Sequence, residues 1–344
     1  MMLKKIKLIT HGADLDGNSC VVVLHFIEND RKTYDVSLED YHTINDSIVK
    51  FISSGEYLNY DVVLITDMNI DLDVAALIQQ TMDKDVNGCK FTLVDHHDTN
   101  MNVLNKYEWA TIQTIGADGD PISAAKLLYL LFEDSIDRCY RKELSKFVNL
   151  VSLYDTYLWL ERNLQEPKDL HILMSLYGRE KFVKKMIDNI STINIDDSSG
   201  FKLSEMDTFI LDMEKNKIKR YMDEKLSQVK KYNIFDQNVG IVFSDNPEYR
   251  SELGNLICTQ LKCDVGLMID ISKREVSYRT TKSDFNLGEW VKEHYKGGGH
   301  IKSAGSQISE DIIKQLIRWI VSLDTDIFMD LNEFIELGLL LEVN

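Results

Sequence analysis

Paired cysteines, long apolar runs and positive charge are all scarce in this sequence. Its five cysteines are odd in number and form no CxxC or similar spacing, so neither a disulfide framework nor a zinc–cysteine site is expected. No run approaches the about 18 apolar residues that a membrane-spanning helix needs, and the apolar part of the N-terminus is too short for a signal sequence. These absences predict a cytoplasmic protein without a membrane partner.

The shortage of positive charge narrows the class of partner. The 344 residues include 39 Lys and Arg against 56 Asp and Glu, which gives a net charge of −17 at pH 7. Such a chain would repel a long polyanion, and it lacks the basic surface of a duplex-binding protein. A short phosphorylated substrate stays open if local cations supply the attraction. Carboxylates that a metal neutralises would account for part of the acidity.

The spacing of apolar residues predicts an α/β protein. Short apolar runs alternate with amphipathic stretches over residues 1–115. This alternation indicates a mostly parallel sheet with helices on both faces. The predicted strands are 4–10, 61–66 and 90–94, and the predicted helices are 19–29, 43–54 and 71–84.

The rest of the chain predicts a second, smaller α/β domain. Residues 121–190 have a helical pattern, and the charged segment 203–231, which has no Gly or Pro, is interpreted as a long connector helix. A second alternation follows, with strands at 238–244, 264–272 and 274–280 and helices near 250–261 and 285–294. The predicted domain ranges are 1–190, a helical connector over 191–236, the smaller domain over 237–325 and a C-terminal helical tail over 326–344.

Acidic and imidazole side chains follow each of the three predicted strands. In an open parallel sheet the carboxyl ends of the strands share one edge, where ligands bind. Each aspartate alone could be a helix cap, and a lone pair of histidines could be surface or packing residues. Their coincidence at three strand ends favours a metal site instead. The residues are His11, Asp14 and Asp16 after the first strand, Asp67 after the second, and Asp95, His96 and His97 after the third.

So many carboxylates cannot lie together ionised without cations, because like charges this close repel. Histidine nitrogens mixed with carboxylate oxygens suit Mn²⁺, Fe²⁺ or Zn²⁺. More donors are present than one ion needs, which favours two ions about 3.5–4 Å apart with a shared carboxylate. Asp155, which closes an apolar helical run, is a further donor or only a residue at a helix end.

These segments resemble a known family. "THGADLDG", "ITDMN", "VDHHDTN" and "SLYDTYLW" are similar, in order, to the four motifs of the DHH phosphoesterases. "GGGHIKSAG" resembles the glycine-rich motif of the family's C-terminal DHHA1 substrate domain. Within the family, "YRSELGN", "VSYRT" and "LVSLYDTYLW" are most similar to segments of NrnB-type oligoribonucleases.

The resemblance implies a role for each motif residue and a cofactor of two divalent ions. These ions are expected to be Mn²⁺, with Mg²⁺, Fe²⁺ or Co²⁺ as alternatives. His97 would face the substrate phosphate, and Asp95 would orient an imidazole. The implied ligands are His11, Asp14 and Asp67 for one ion, and Asp16, Asp67, His96 and Asp155 for the other, so that Asp67 bridges them.

The smaller domain is expected to bind substrate. Three successive glycines allow close approach of a ligand to the backbone, and their N–H groups can form an anion-binding nest. A flexible surface turn is the ordinary alternative. Arg279 suits a bidentate phosphate contact, or is a surface cation. Ser251 and Asn255 are helix caps or substrate contacts. The candidate substrate residues are Gly297, Gly298, Gly299, His300, Lys302, Arg279, Ser251 and Asn255.

The expected function is metal-dependent hydrolysis of short oligoribonucleotides to nucleoside 5′-monophosphates by a hydroxide held between two metals. Cyclic or linear dinucleotides and pAp are alternative substrates that the motifs do not separate. The GGGH segment argues against a pyrophosphatase or polyphosphatase. The presence of every acidic motif position argues against a nucleotide-binding regulator without turnover. A monomer and a homodimer both remain open, since the acidic amphipathic segment 326–344 can pack on its own chain or on a second subunit.

Overall fold

The N-terminal half of the chain folds around a parallel sheet. A computed structural model describes the protein over residues 4–27, 32–84, 88–98, 106–192 and 201–314. It divides into two units, Met1–Asp212 and Met213–Asn344, each with its own sheet. In the described residues, no helix is long and apolar enough to cross a membrane. The predicted tail over 326–344 lies outside the described residues.

Five parallel strands form the sheet of the first unit, in the order β2-β1-β3-β4-β5. The three predicted strands are its central members, and the two strands at its edges were not predicted. The strands are β1 (Lys4–His11), β2 (Lys32–Glu39), β3 (Val62–Thr66), β4 (Lys90–Asp95) and β5 (Ala110–Ile112). Central strands are buried on both faces and are therefore mainly apolar, whereas β2 is largely polar and β5 has only three residues.

Helices cover both faces of this sheet, as predicted. Leu8 and Leu64 point into one hydrophobic core, and the neighbouring Ile9 and Ile65 point into the other. Since successive strand residues face opposite sides, each core has its own row of side chains. The helices are α1 (Leu15–Phe26), α2 (Ile44–Ser53), α3 (Leu72–Lys84), α4 (Ala124–Phe132), α5 (Arg138–Asp155), α6 (Leu158–Glu161), α7 (Glu166–Tyr177) and α8 (Arg179–Ser191).

The predicted connector helix is present as α9 (Glu205–Gln228), which has 24 residues. Near its start, Asp207 is fully buried and is surrounded by donors. Its carboxylate accepts hydrogen bonds from Tyr177 Oη at 2.6 Å and Ser204 Oγ at 2.6 Å, and it pairs with Lys185 Nζ at 3.0 Å. Burial alone would raise the pKa of Asp207, but these donors hold it well below its usual value.

Replacing Asp207 by Asn is expected to lower the free energy of unfolding by about 2–3 kcal/mol at pH 7, because charge-assisted hydrogen bonds are lost. A carboxylate with a lowered folded-state pKa stabilises the fold above its unfolded pKa of about 3.9, and this stabilisation is lost as the pH falls. The difference between wild type and D207N should therefore shrink below about pH 4. Urea denaturation at pH 7 and pH 3 measures it.

The control for this test is Asp212→Asn, an exposed aspartate on the same helix. It is expected to change the free energy of unfolding by less than about 0.5 kcal/mol. Equal effects of D207N and D212N at pH 7 would contradict the stabilising role of the buried carboxylate.

The second unit has a six-stranded mixed sheet in the order β10-β11-β9-β8-β7-β6. Only β7 and β8 pair in parallel, and the other neighbours are antiparallel. Its strands are β6 (Lys230–Ile234), β7 (Gln237–Phe243), β8 (Val265–Asp270), β9 (Glu275–Arg279), β10 (Gly298–Gly299) and β11 (Ser303–Gln307). Its helices are α10 (Arg250–Gln260) and α11 (Leu287–Tyr295), which pack into separate cores.

The predicted second α/β alternation is confirmed by β7, β8, β9 and both of these helices. Strands β6, β10 and β11 were not predicted, because they are short, polar or glycine-rich, and therefore have no apolar pattern. β6 begins within the segment interpreted as connector helix, so the helix ends slightly before its predicted end.

Candidate metal centre

Three neighbouring strands of the first sheet end level with one another. Thr10 of β1 pairs with Thr66 of β3, and Thr66 pairs with Val94 of β4. Because parallel strands run in the same direction, the residues that follow Thr10, Thr66 and Val94 lie at the same edge of the sheet. These next residues are His11, Asp67 and Asp95.

His11 forms the first group of donor atoms with two carboxylates. Its Nδ1 lies 2.6 Å from Asp14 Oδ2 and 3.8 Å from Asp67 Oδ2. Asp14 is also the N-cap of α1, where Oδ1 accepts a hydrogen bond from Gly17 N at 3.0 Å. The ordinary capping role and the position beside His11 are therefore both observed, each through a different oxygen.

His96 is the centre of the second group. Its Nε2 lies 3.4 Å from Asp67 Oδ1, 3.5 Å from Asp155 Oδ2 and 3.8 Å from Asp16 Oδ2. Asp155 is the last residue of α5. The donor atoms of Asp16, His96 and Asp155 all lie within 4.8 Å of one another, which is close enough to share one ion.

Asp16 connects this second group to a distant helix. Its two carboxylate oxygens accept hydrogen bonds from Ala124 N at 2.7 Å and Ala125 N at 3.0 Å, at the start of α4. A carboxylate is stabilised there by the unpaired N–H groups of a helix N-terminus. Each oxygen has a second lone pair, so this bonding leaves Asp16 able to bind a cation.

Asp67 lies next to both groups and is almost fully buried. It is 1% exposed, and Oδ2 has no hydrogen-bond partner among the residues that the structure describes. Burial and the charges of Asp16 and Asp14 raise the pKa of Asp67 well above its usual value. Burial, with the same two charges, raises the pKa of Asp155 to about 8.

The donor set suits divalent cations. Buried carboxylates that repel one another need a compensating positive charge, and a buried oxygen without a donor offers its lone pairs to an ion. Oxygen and imidazole donors without a thiolate suit Mn²⁺ and similar ions rather than a soft-metal site. Asp67 lies beside both His11 and His96, so one carboxylate is within reach of either donor group.

Backbone geometry at Asp67 is also unusual. Its φ is +54°, in the left-handed region that few non-glycine residues adopt. Its N–H donates to Val94 O at 3.1 Å. This hydrogen bond holds the residue that follows β3 beside β4. Aspartate tolerates this region better than most residues.

The second histidine of the pair has different partners. His97 Nδ1 lies 2.7 Å from Oδ1 of the buried Asp95, and the hydrogen bond to Asp95 raises the pKa of His97. On the other side of the ring, Nε2 lies 3.3 Å from the hydroxyl of Tyr41. The structure therefore places Asp95 beside His97, a pairing that the sequence alone did not decide between the two histidines.

Tyr41 was missed by the sequence analysis. Its ring centroid lies 4.4 Å from that of His11, and burial with the charges of Asp67 and Asp14 raises its pKa. It follows β2, which is the neighbour of β1 and runs parallel to it. Recognition of β2 as a strand would have placed Tyr41 at the same sheet edge.

In the second unit, Arg279 is held by its own domain. Its Nη2 donates to Ser251 Oγ at 2.9 Å and its Nη1 to Tyr278 O at 2.8 Å. Gly254 makes room for this side chain, since a Cβ there would lie 2.6 Å from Arg279 Cγ. Ser251 therefore positions Arg279 and does not cap α10, whose cap has no side-chain hydrogen bond.

Another arginine of the second unit, Arg250, is paired with carboxylates. Arg250 pairs with Asp270 and with Glu275, the latter at 2.9 Å. No carboxylate pairs with Arg279 among the described residues. A half-buried guanidinium without an anionic partner is suited to an anionic ligand.

The glycine-rich segment is a β-hairpin, not an open loop. Gly298 and Gly299 form β10, which pairs with β11, and His300 N donates to Ser303 O at 2.7 Å in the turn. Gly299 has φ +158°, and a Cβ there would lie 2.5 Å from the Cα of Ala304. The N–H of His300 is used within the turn and is therefore not among the groups that could bind an anion.

A cavity of about 640 Å³ adjoins this hairpin. It is lined by Gly298, Gly299, His300 and Lys302, together with Lys292 of α11 and others. Gly297 lines a separate cavity of about 540 Å³. Asn255 is exposed on α10. The structure thus brings four of the eight candidate substrate residues to one cavity, and two others, Arg279 and Ser251, to each other.

The sequence is similar to a curated protein along most of its length. Oligoribonuclease NrnB of Bacillus subtilis (strain 168) is 28% identical over 313 residues, which are 90% of this chain and 74% of NrnB. The predicted similarity to NrnB-type DHH proteins is confirmed. No protein-family model matches the chain.

Three solved structures resemble the chain over most of its length but superpose loosely. An uncharacterized protein from Helicobacter pylori G27 is 16% identical, with a TM-score of 0.44 and coverage of 92% of this chain and 99% of that one. Exonuclease RecJ bound to manganese is 12% identical, with a TM-score of 0.45 and coverage of 91% and 88%. An exopolyphosphatase-related protein from Bacteroides fragilis is 12% identical, with a TM-score of 0.41 and coverage of 98% and 94%. Likenesses this loose say nothing about function.

The residues that match the DHH motifs meet in the first unit of the chain. They form the donor groups around His11 and His96, with Asp67 next to both, and donor atoms of Asp67, His96 and His97 also lie within 4.8 Å of one another. The residues that match the DHHA1 motif lie in the second unit, on the β10–β11 hairpin and its turn.

Proposed function

We propose that the chain is a metal-dependent DHH-type phosphodiesterase that hydrolyses short oligoribonucleotides to nucleoside 5′-monophosphates. The observation that carries the proposal is the meeting of four carboxylates and two imidazoles at one sheet edge, with Asp67 adjacent to both groups. The similarity to NrnB over 90% of the chain supports a phosphoesterase or nuclease of this family, and the name of that relative supports short RNA as the substrate.

Two divalent ions, in our proposal Mn²⁺, would be held by the two donor groups. One group is His11, Asp14 and Asp67, and the other is Asp16, His96, Asp155 and Asp67. When bound, such ions lower the pKa of a water molecule towards neutrality and offset negative charge on phosphoryl oxygens.

His97 has a separate role in this proposal. Its Nδ1 is engaged by Asp95, so Nε2 is the nitrogen that can act on substrate, in exchange for its contact with the Tyr41 hydroxyl at 3.3 Å. Asp95 favours the protonated imidazole, which can donate a hydrogen bond to a phosphoryl oxygen or a proton to the departing oxygen. A buried carboxylate also fixes the orientation of the ring.

An acidic chain needs local cations to attract an anionic substrate, and two arginines are suited to this role. In the first unit, Arg179 Nη1 lies 3.2 Å from the position that a Cβ on Gly12 would occupy, and Gly12 follows His11 directly. In the second unit, Arg279 offers a guanidinium without a carboxylate partner among the described residues. A few such cations suit a short anionic substrate, whereas the net charge of −17 disfavours a long polyanion.

Arg279→Ala is expected to raise KM for a short RNA about 10-fold while leaving the affinity for Mn²⁺ unchanged, because a phosphate contact is lost and no metal donor is touched. Arg279→Lys is the matched variant. It keeps the charge but not the planar fork, so a KM between those of wild type and R279A is expected. Steady-state kinetics and a calorimetric Mn²⁺ titration provide both measurements, and unchanged KM in R279A would remove the residue from substrate binding.

A substrate panel tests the proposed function itself. The purified chain with Mn²⁺ is incubated with an RNA dinucleotide, a pentanucleotide, cyclic di-AMP, pAp and pyrophosphate, and product length is measured. Release of 5′-mononucleotides from the two RNAs with the highest kcat/KM is expected. A preference for cyclic di-AMP or pAp would be compatible with the proposed metal chemistry but would contradict the proposed RNA substrate. Phosphate release from pyrophosphate alone would overturn the phosphodiesterase proposal.

A further inference from the structure

We propose that Tyr41 is a positioning residue of the candidate metal centre, which holds His11 through its ring and His97 through its hydroxyl. The proposal rests on the proposed function only for its kinetic test. It assigns a role to a residue outside all four motif segments, in the turn after the strand that the sequence did not reveal.

The position of Tyr41 follows from the sheet. Strand β2 ends at Glu39, opposite His11 of β1, so the turn after β2 reaches the same edge as the donor groups. This turn is well held. Thr43 N donates to Asp40 O at 2.9 Å, and the hydroxyl of Thr43 donates to Glu39 Oε2 at 2.9 Å. Tyr41 therefore projects from a fixed backbone and not from a free loop.

The ring of Tyr41 packs on the first donor group. Its centroid lies 4.4 Å from that of His11, with 41° between the planes, and the residue is 41% exposed. His11 is 6% exposed, and its Nδ1 lies 2.6 Å from Asp14 Oδ2. Because Asp14 fixes only one edge of the imidazole, a ring in contact with its face limits rotation about the remaining bond.

The hydroxyl of Tyr41 extends the contact between Asp95 and His97 into a series of three side chains at the sheet edge. Asp95 Oδ1 lies 2.7 Å from Nδ1 of His97, and Tyr41 Oη lies 3.3 Å from Nε2. A neutral imidazole that donates through Nδ1 accepts through Nε2, and a phenol is a donor for it. An imidazolium donates from both nitrogens, and the same phenol oxygen accepts. Tyr41 thus satisfies His97 in both forms and fixes the ring from the side opposite to Asp95.

Two variants distinguish the contact of the Tyr41 hydroxyl with His97 from the contact of its ring with His11. Tyr41→Phe removes only the hydroxyl, so we expect kcat for an RNA dinucleotide to fall about 10-fold with KM within about two-fold, and Mn²⁺ affinity to stay unchanged. Tyr41→Leu also removes the aromatic ring, so we expect in addition a Kd for Mn²⁺ about 10-fold higher. Calorimetric titration with MnCl₂ measures the second effect.

Tyr60→Phe is the matched control. Its hydroxyl donates to Asp35 at 2.9 Å in the same unit, and its ring packs on Phe51, away from the donor groups. We expect kcat, KM and Mn²⁺ affinity to equal those of wild type. A loss in Y60F equal to that in Y41F would mean that any lost tyrosine hydroxyl disturbs the fold, and the positioning role would be wrong.

A readout without metal or substrate keeps this test separate from the proposed function. In the metal-free protein, the ¹⁵N resonance of His97 Nε2, assigned with a His97→Gln variant, should shift in Y41F and stay unchanged in Y60F. If wild type cleaves no RNA, the proposed function fails, while the resonance and the Mn²⁺ titration still decide the role of Tyr41. A wild-type kcat together with an unshifted resonance in Y41F would overturn it.

Discussion

Asp67→Asn is expected to abolish Mn²⁺-dependent hydrolysis and, at the same time, to stabilise the metal-free protein. Asp67 is buried between two donor groups, and one of its oxygens has no hydrogen-bond partner among the described residues. Removing its charge relieves repulsion with Asp16 and Asp14 but also removes the shared ligand. We expect kcat to fall by about 10³-fold or more, and the metal-free fold to gain about 1–2 kcal/mol.

Asparagine suits this position because it tolerates a positive φ at least as well as aspartate. Thermal unfolding in EDTA and in Mn²⁺ measures the effect. Wild type should gain stability from Mn²⁺, since an ion that binds only the folded state stabilises it, and D67N should gain much less. Asp73→Asn, on the exposed first turn of α3, is the control and should behave as wild type. An equal Mn²⁺ effect in D67N and wild type would contradict the assignment of Asp67.

Gly17→Ala is expected to displace His11 and to prevent metal binding. A Cβ on Gly17 would lie 2.1 Å from the carbonyl oxygen of His11 and 2.8 Å from its carbonyl carbon. These are backbone atoms, so no change of side-chain rotamer relieves the clash. We expect a loss of about 3 kcal/mol in the free energy of unfolding, together with the loss of Mn²⁺ binding.

Gly55→Ala separates backbone strain from this steric effect. Gly55 has φ +75°, and a Cβ there would meet only Leu58 Cδ1 at 3.8 Å. We expect G55A to lose about 1 kcal/mol and to bind Mn²⁺ normally. Urea denaturation and Mn²⁺ titration of both variants provide the comparison. Normal Mn²⁺ binding by G17A would show that the backbone of His11 can move without harm to the donor groups.

The central part of the fold was predictable because its strands are buried on both faces. β3 and the later parts of β1 and β4 are mainly apolar, and each of these strands leads directly into a charged or imidazole residue. β2 was not predictable in the same way, since an edge strand with half of its side chains exposed has a mixed composition. The failure to detect β2 is also why Tyr41 was not among the candidate residues.

Other features depend on contacts between distant parts of the chain. Asp16 and the start of α4 are 108 residues apart, and nothing in either segment predicts that one carboxylate accepts from both Ala124 and Ala125. Arg279 and Ser251 are 28 residues apart and meet because α10 packs on the sheet that contains β9. Both residues were candidates for substrate contact, but nothing in either segment indicated that one positions the other.

Because β1, β3 and β4 end level with one another, the length of each strand determines where its donor side chain lies. Thr10, Thr66 and Val94 lie in one row, so the three groups that follow them emerge together. One extra residue in β3 would carry Asp67 about 3.3 Å further along and turn it to the opposite face. A homologous chain could therefore retain every motif letter and still lose its ions through a single insertion upstream.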